Sequence, residues 1–346
     1  MGAEGGVSYL TTEKVAVMGA AGAVGSNLVQ ALISTGTANT VAMYDPYGPG
    51  LAGAAEEIYH CAFPEAQVTW TTDAGEALDG AAFVLSSGGA PRREGMTRED
   101  LLRGNAEIAA QLGKDISQHA PEAKLVVIVF NPADVTGLVT LVHSGLPPQR
   151  VTTLAALDST RLQTRLAQHF GVPQHRVYGC RTYGGHGQEM ALYKGAIQID
   201  GVPLNDIVND GAEANGVGLD ADGWQAIREH VLGGGARVIK LRGRSSFQSP
   251  AHLTAMMVRA ACGGEPFEWP CGAFVTGEPY ANVMMAMPTT LGQGGVAWRL
   301  PEGDADERAE LDAAYAHLQH LRDETIGMGL IPAVADWGSV NPHLAG

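Results

Sequence analysis

The chain has 346 residues and a formal net charge of −15, with 45% hydrophobic and 17% charged residues. Such a charge repels nucleic acid and anionic membrane surfaces, so neither is an expected partner, and an anionic substrate would need a local arginine cluster to hold it against the field. The 46 Gly and 18 Pro are scattered rather than clustered, which is a globular composition, long enough for two packed units.

The opening Met1–Ser8 carries neither a basic start nor an apolar core, and no stretch approaches the roughly 20 apolar residues of a membrane span. A cytoplasmic protein is expected. Cys61, Cys180, Cys262 and Cys271 lie far apart without a CxxC pair; they read as small apolar residues rather than zinc or dithiol ligands, and no metal is implied.

Short apolar runs alternate with helical patterns through the first half. Val15–Met18, Val41–Tyr44, Ala82–Leu85 and Leu125–Phe130 read as strands, and Val151–Leu157 as a fifth. Between them Leu28, Ala31 and Leu32 share a helical face, as do Leu51, Ala54, Ala55 and Ile58. The series Leu101, Leu102, Asn105, Ile108, Ala109 and Leu112 forms a third face. Continuous apolar strands between helices predict an α/β fold, a doubly wound parallel sheet of Rossmann type buried on both faces. Residues 1–157 are expected to form this nucleotide-binding unit, with residues 1–12 as a tail. Residues 158–346 are expected to form a mixed α+β substrate and catalytic unit, ending in a helix with the stripe Leu311, Tyr315, Leu318 and Leu321.

The chemistry-bearing residues follow the strands. Gly19-Ala20-Ala21-Gly22-Ala23-Val24-Gly25 links the first strand to the first helix, where a tight turn presents amides and a helix N-terminus to a pyrophosphate. Asp45 ends the second strand, twenty residues past Gly25. A carboxylate there accepts ribose hydroxyls of NAD and repels the 2′-phosphate of NADP, although an Asp before Pro46 can also merely start a turn. Pro91–Arg98 follows the third strand and carries Arg92, Arg93 and Arg98, a composition suited to a lid over an anion or to plain solvated charge. Asn131 follows the fourth strand. Asp158 and Arg161 lie three apart at the start of a helix; one can orient a base while the other grips a carboxylate, or the Asp is an N-cap beside an incidental arginine. Tyr183-Gly184-Gly185-His186-Gly187 places a histidine in a glycine-flanked loop. With a carboxylate partner its imidazole can exchange a proton with a secondary alcohol near neutral pH.

The order of these pieces, GAAGAVG, the acidic strand end, PRREGMTR, Asn131-Pro132, LDSTR and GGHG, resembles the lactate/malate dehydrogenase family. The resemblance runs from about Lys14 into the C-terminal helix and includes Arg237–Ser246, which is similar to that family's segment lining the far side of the substrate pocket. Its bacterial, malate-oxidising members with a Tyr-Gly-Gly-His-Gly loop are the most similar.

This resemblance implies NAD as cofactor, malate and oxaloacetate as the small-molecule substrate pair, and a homodimer or homotetramer, with the Leu51–Ile58 helix as a candidate interface. It implies His186 as general acid/base, Asp158 as its orienting partner, Arg161 on the C1 carboxylate and Arg98 on the C2 oxygen. Asn131 would lie near both substrate and nicotinamide ribose. Ser245 would contact substrate, and Asn105 would join Gly19, Ala20, Gly22, Ala23, Val24, Gly25, Asp45 and Asn131 around the cofactor. Arg92 stands where family members acting on dicarboxylates have arginine, and a second carboxylate enclosed without a cation would be strongly disfavoured.

Two alternatives stand beside this reading, a dehydrogenase for lactate or another 2-hydroxy acid, and a catalytically silent nucleotide-binding homologue. A short-chain dehydrogenase is disfavoured because none of the nine tyrosines is followed four residues later by lysine.

Overall fold

A computed structural model describes residues 8–90, 98–187 and 189–345, with only the main chain of Arg98. Six parallel strands, β1 (Val15–Met18), β2 (Thr40–Tyr44), β3 (Gln67–Thr71), β4 (Phe83–Ser86), β5 (Leu125–Ile128) and β6 (Val151–Thr153), alternate with helices. These are α1 (Ala23–Ser34), α2 (Gly48–His60), α3 (Ala74–Leu78), α4 (Arg98–His119), α5 (Ala133–Ser144) and α6 (Ala156–Phe170). The parallel order is β6-β5-β4-β1-β2-β3, so β1 lies between β2 and β4 and the chain winds outward in both directions from it. In such sheets the crevice at this reversal is where ligands bind. This is the expected doubly wound parallel sheet.

The strands β1, β4 and β5 are buried along their whole length, as their continuous apolar sequences require. Helix α1 packs on one face with the helix Gln248–Ala261 of the second half, while α4 and α5 pack together on the other.

Several expectations change here. Strand β3 was not anticipated: its sequence Gln-Val-Thr-Trp-Thr sits at the exposed edge of the sheet, so it never needed a continuous apolar run. The fifth run stops as a strand at Thr153, and Leu157 already lies in α6. Ile108, expected on the apolar face of α4, is 37% exposed. On the helix of Leu51–Ile58, Leu51, Ala55 and Ile58 are buried in the chain's own core.

The second half does not form its own main sheet. Its strands Cys271–Val275 and Val283–Met287 pair antiparallel with each other, and the first pairs antiparallel with β6, which extends the sheet to eight strands. A hairpin, Arg181–Tyr183 with Ala191–Tyr193, carries the loop that contains His186. That loop is anchored where Gly184 bridges Ala286 through paired main-chain bonds of 2.9 and 2.8 Å. The helix Ala305–Gly327 closes the fold with Leu311 and Leu318 buried as expected. Among the described residues no helix is long and apolar enough to cross a membrane.

The glycine turn after β1 depends on close main-chain approach. A Cβ on Gly25 would stand 2.3 Å from the Gly19 carbonyl oxygen, so helix α1 can seat against the turn only without a side chain there. Gly25→Ala is expected to destabilise the protein by about 1–3 kcal/mol, the range for overpacking a filled site. Chemical denaturation with the cofactor absent checks this, and a wild-type midpoint would show that the turn relaxes freely.

Candidate active site

At the centre of the sheet, Gly19 adopts φ +88° and approaches the loop after β4 so closely that a Cβ would stand 2.5 Å from the Gly88 Cα. The amides of Gly19 and Ala20 both donate to the Tyr44 carbonyl, at 2.8 and 2.9 Å, which ties the turn to the end of β2. Helix α1 then begins at Ala23 after Gly22, with no side chain capping its first turn. Its first amides, from Ala23, Val24 and Gly25, therefore point into the crevice without an intrahelical acceptor, a ready anion site.

Asp45 stands at the end of β2 beside this turn. One oxygen accepts the Tyr47 amide at 2.9 Å and the other the Ala21 amide at 3.3 Å. Both readings of Asp45 therefore meet in one residue: it starts the turn at Pro46, and its half-buried carboxylate retains lone pairs beside the glycine turn. The bare helix end, the close glycine approach and this carboxylate together fit a dinucleotide.

The second cluster centres on Asp158, in the first turn of α6. Its side chain is 3% exposed, and its two oxygens accept from two different side chains. Oδ1 accepts Nη1 of Arg161 at 2.6 Å, and Oδ2 accepts Nδ1 of His186 at 2.6 Å. Burial alone would raise the Asp158 pKa, but His186 and Arg161 hold it below its ordinary value. The His186 pKa is raised, chiefly by Asp158, against the opposing effect of burial. With Nδ1 engaged, Nε2 is the nitrogen left to exchange a proton. The imidazole is 24% exposed, enough to meet a ligand. Two of the residues separated by 28 positions in sequence thus form one unit, and the N-cap alternative for Asp158 falls away because α6 begins at Ala156 with Ala155 as its cap.

Arg161 is 21% exposed, and room for its side chain comes from the start of the helix Gly234–Arg242. A Cβ on Gly234 would stand 2.9 Å from the Arg161 Cδ. One edge of the guanidinium serves Asp158, which leaves its remaining donors for a carboxylate.

The other expected residues are placed less uniformly. Asn131 is exposed directly after β5, beyond the carboxyl end of the sheet. Asn105 is 2% exposed in α4 and its amide is used within the chain: Oδ1 accepts the Ala90 amide at 2.8 Å and Nδ2 donates to the Asn131 carbonyl at 2.6 Å. It is a brace between two loops. Ser245 lies exposed directly after Arg244; the guanidiniums of Arg242 and Arg244 sit 4.5 and 4.3 Å from the Phe247 ring centre. Among the described residues it makes no hydrogen bond to the cluster around Asp158. Arg92 lies outside the described residues; Arg98 begins α4 and its side chain is outside them too.

One residue was missed. Asp134, in the first turn of α5, is 5% exposed, and its Oδ2 accepts the main-chain N–H of His186 at 2.8 Å. Burial pushes its carboxyl up to about 6, against the lowering effect of the bond from His186. An acidic residue in the first turn of a helix is ordinary by the helix dipole, so only its spacing after Asn131-Pro132 could have drawn notice.

Residues 13–153 match the model of the lactate/malate dehydrogenase NAD-binding domain, and residues 155–325 that of the family's α/β C-terminal domain. A malate dehydrogenase of Salinibacter ruber is 30% identical over 326 residues, covering 90% of this chain and 98% of that protein. One of Chloroherpeton thalassium is 30% identical over 316 residues, covering 90% and 96%. Among solved structures, the Salinibacter ruber malate dehydrogenase is 26% identical with a TM-score of 0.79, covering 91% of this chain and 99% of that one.

The opposed shifts at His186 and Asp158 fix a pH dependence. A lowered Asp158 contributes stability above its ordinary 3.8 that is lost as pH falls through its folded value. A raised His186 contributes stability below its ordinary 6.5 that is lost as pH rises through its folded value. The pair is therefore at full strength between these two ordinary values. Asp158→Asn should bring the His186 titration down to lower pH, as followed by the imidazole proton resonances in NMR; a titration unchanged from wild type would show that Asp158 is not its main stabiliser.

Proposed function

Because the chain belongs to the lactate/malate dehydrogenase family, we propose that it is an NAD-dependent malate dehydrogenase acting through His186. The observation that carries this reading is the buried Asp158 carboxylate, shared at 2.6 Å on each side between an imidazole and an arginine. A proton-exchanging group and a carboxylate-binding group are thereby held in fixed relation, which is what oxidation of a 2-hydroxy acid demands.

The cofactor would be held by the turn Gly19–Gly25 and by Asp45. Gly19, Ala20, Gly22, Ala23, Val24 and Gly25 supply main-chain donors and close approach, while the Asp45 carboxylate favours ribose hydroxyls over a phosphate. When bound, NAD supplies the hydride acceptor for C2 of the substrate. The chain's own part is proton transfer and orientation. His186 Nε2 takes the hydroxyl proton of malate, and Asp158 stabilises the imidazolium that results. In the reverse direction the protonated His186 donates to the oxaloacetate carbonyl oxygen.

Arg161 grips the C1 carboxylate with the donors that Asp158 leaves free. Arg98 is assigned to the C2 oxygen and Arg92 to the second carboxylate, where a cation offsets the cost of enclosing that charge. Asn131 orients the substrate from the end of β5, with Asn105 bracing its main chain, and Ser245 forms the far wall. The division into a cofactor unit, 1–157, and a substrate unit, 158–346, belongs to the same reading, as do a cytoplasmic location and assembly as a homodimer or homotetramer.

NADH oxidation by the purified protein with oxaloacetate and with pyruvate tests the substrate. A kcat/KM far higher for oxaloacetate is expected, and preference for pyruvate would transfer the assignment to lactate. His186→Ala should abolish turnover while NADH binding, read by fluorescence, stays within a few-fold. Arg92→Gln should weaken oxaloacetate far more than pyruvate; equal losses would remove Arg92 as the selector.

A further inference from the structure

The loop that carries His186 has little of its own to hold it. Gly184, Gly185 and Gly187 contribute no side chains, and Gly184, at φ +85°, is packed so tightly that a Cβ would stand 2.5 Å from the Ala314 Cβ. Beyond the bridge from Gly184 to Ala286, the main chain at His186 is held by the Asp134 carboxylate. We propose that Asp134 is a positioning residue for the acid–base step: from α5 it pins the main chain of His186, while Asp158 pins the ring from α6.

A main-chain carbonyl would serve as well for a simple hydrogen bond. A carboxylate 5% exposed costs desolvation that a neutral acceptor avoids, so its presence calls for a return that only charge provides. Among the described residues the charged groups facing His186 are Asp158 and Arg161 on α6 and Asp134 on α5, and the attraction of Asp134 raises the His186 pKa in the same sense as Asp158. The charges facing Asp134 are His186 and Asp158, and its place in the first turn of α5 favours the ionised form. With its own carboxyl pushed up to about 6, Asp134 is ionised near neutral pH and becomes neutral as the solution turns acidic. The same residue therefore fixes where the imidazole stands and how readily it keeps a proton.

This inference rests on His186 as the acid/base. Asp134→Asn keeps an oxygen for the His186 N–H but removes the charge; Asp134→Ala removes both. For each variant kcat and KM are measured for malate across pH. The limb of kcat/KM that requires neutral His186 should move to lower pH in Asp134→Asn, by about half a unit or more for the loss of a nearby charge. Asp134→Ala should lower kcat about ten-fold or more through misplacement of the imidazole, with the asparagine variant losing less. A merely structural role would lower the melting temperature and leave the limb in place. An unmoved limb in Asp134→Asn, or wild-type kcat in a folded Asp134→Ala, overturns the proposal, and if the alanine variant does not fold the asparagine limb decides. His186→Ala assayed in parallel separates the two readings: retained turnover there defeats the role of His186 itself, whereas loss of turnover beside an unmoved asparagine limb defeats only Asp134.

Discussion

One buried carboxylate organises the catalytic half of this molecule. Asp158 is almost wholly withdrawn from water, and an isolated charge so placed would be protonated rather than tolerated. It stays ionised because each oxygen accepts a hydrogen bond, one from Arg161 in the next turn of its own helix and one from His186 on a hairpin 28 residues onward. Removing either partner leaves a buried, half-satisfied charge, so the three residues stand or fall as a unit. The arrangement also divides labour: the shared carboxylate orients both partners, and each presents its free side outward.

The cofactor end rests on a different constraint, the distance at which two backbones can approach. Strand β1 sits between β2 and β4, so the loops at its carboxyl end diverge toward opposite faces and open a crevice. Gly19 lets the turn meet the Gly88 segment, and Gly25 lets α1 seat against the same turn. Asp45 closes the crevice from β2 and is itself steadied by amides of Ala21 and Tyr47.

These two ends are joined through shared strands. The second half contributes Cys271–Val275 and Val283–Met287 to the main sheet, and Ala286 in the latter bridges Gly184 at the base of the His186 loop. Helix α5 starts just beyond Asn131 and supplies Asp134 to that loop. Asn105 links the Asn131 carbonyl to Ala90, the last described residue before the arginine-bearing segment. The imidazole is thus located by contacts from both halves of the chain, and a displacement of either would be felt there.

Much of this was legible from local pattern. Strands β1, β2, β4 and β5 are largely apolar because they are covered on both faces, and the glycine turn, Asp45, Asp158, Arg161 and His186 each sit near an element end or in a loop whose chemistry is local. Strand β3 was not legible, because an edge strand with one exposed face can be Gln-Val-Thr-Trp-Thr as readily as anything apolar. The hydrogen-bond partners of Asn105 were hidden for the opposite reason: a polar residue on an apolar helical face announces burial and names no partner. Asp134 looked like ordinary first-turn acid until the fold brought His186 to it. The sequence by itself determined the doubly wound sheet and the cofactor turn, since each depends on periodicity or on residue type at an element end. Only the tertiary structure decided that the second half completes the sheet, that His186 joins Arg161 on the Asp158 carboxylate, and that a second carboxylate holds the main chain of His186, because those contacts join residues tens to more than a hundred positions apart and leave no trace in local spacing.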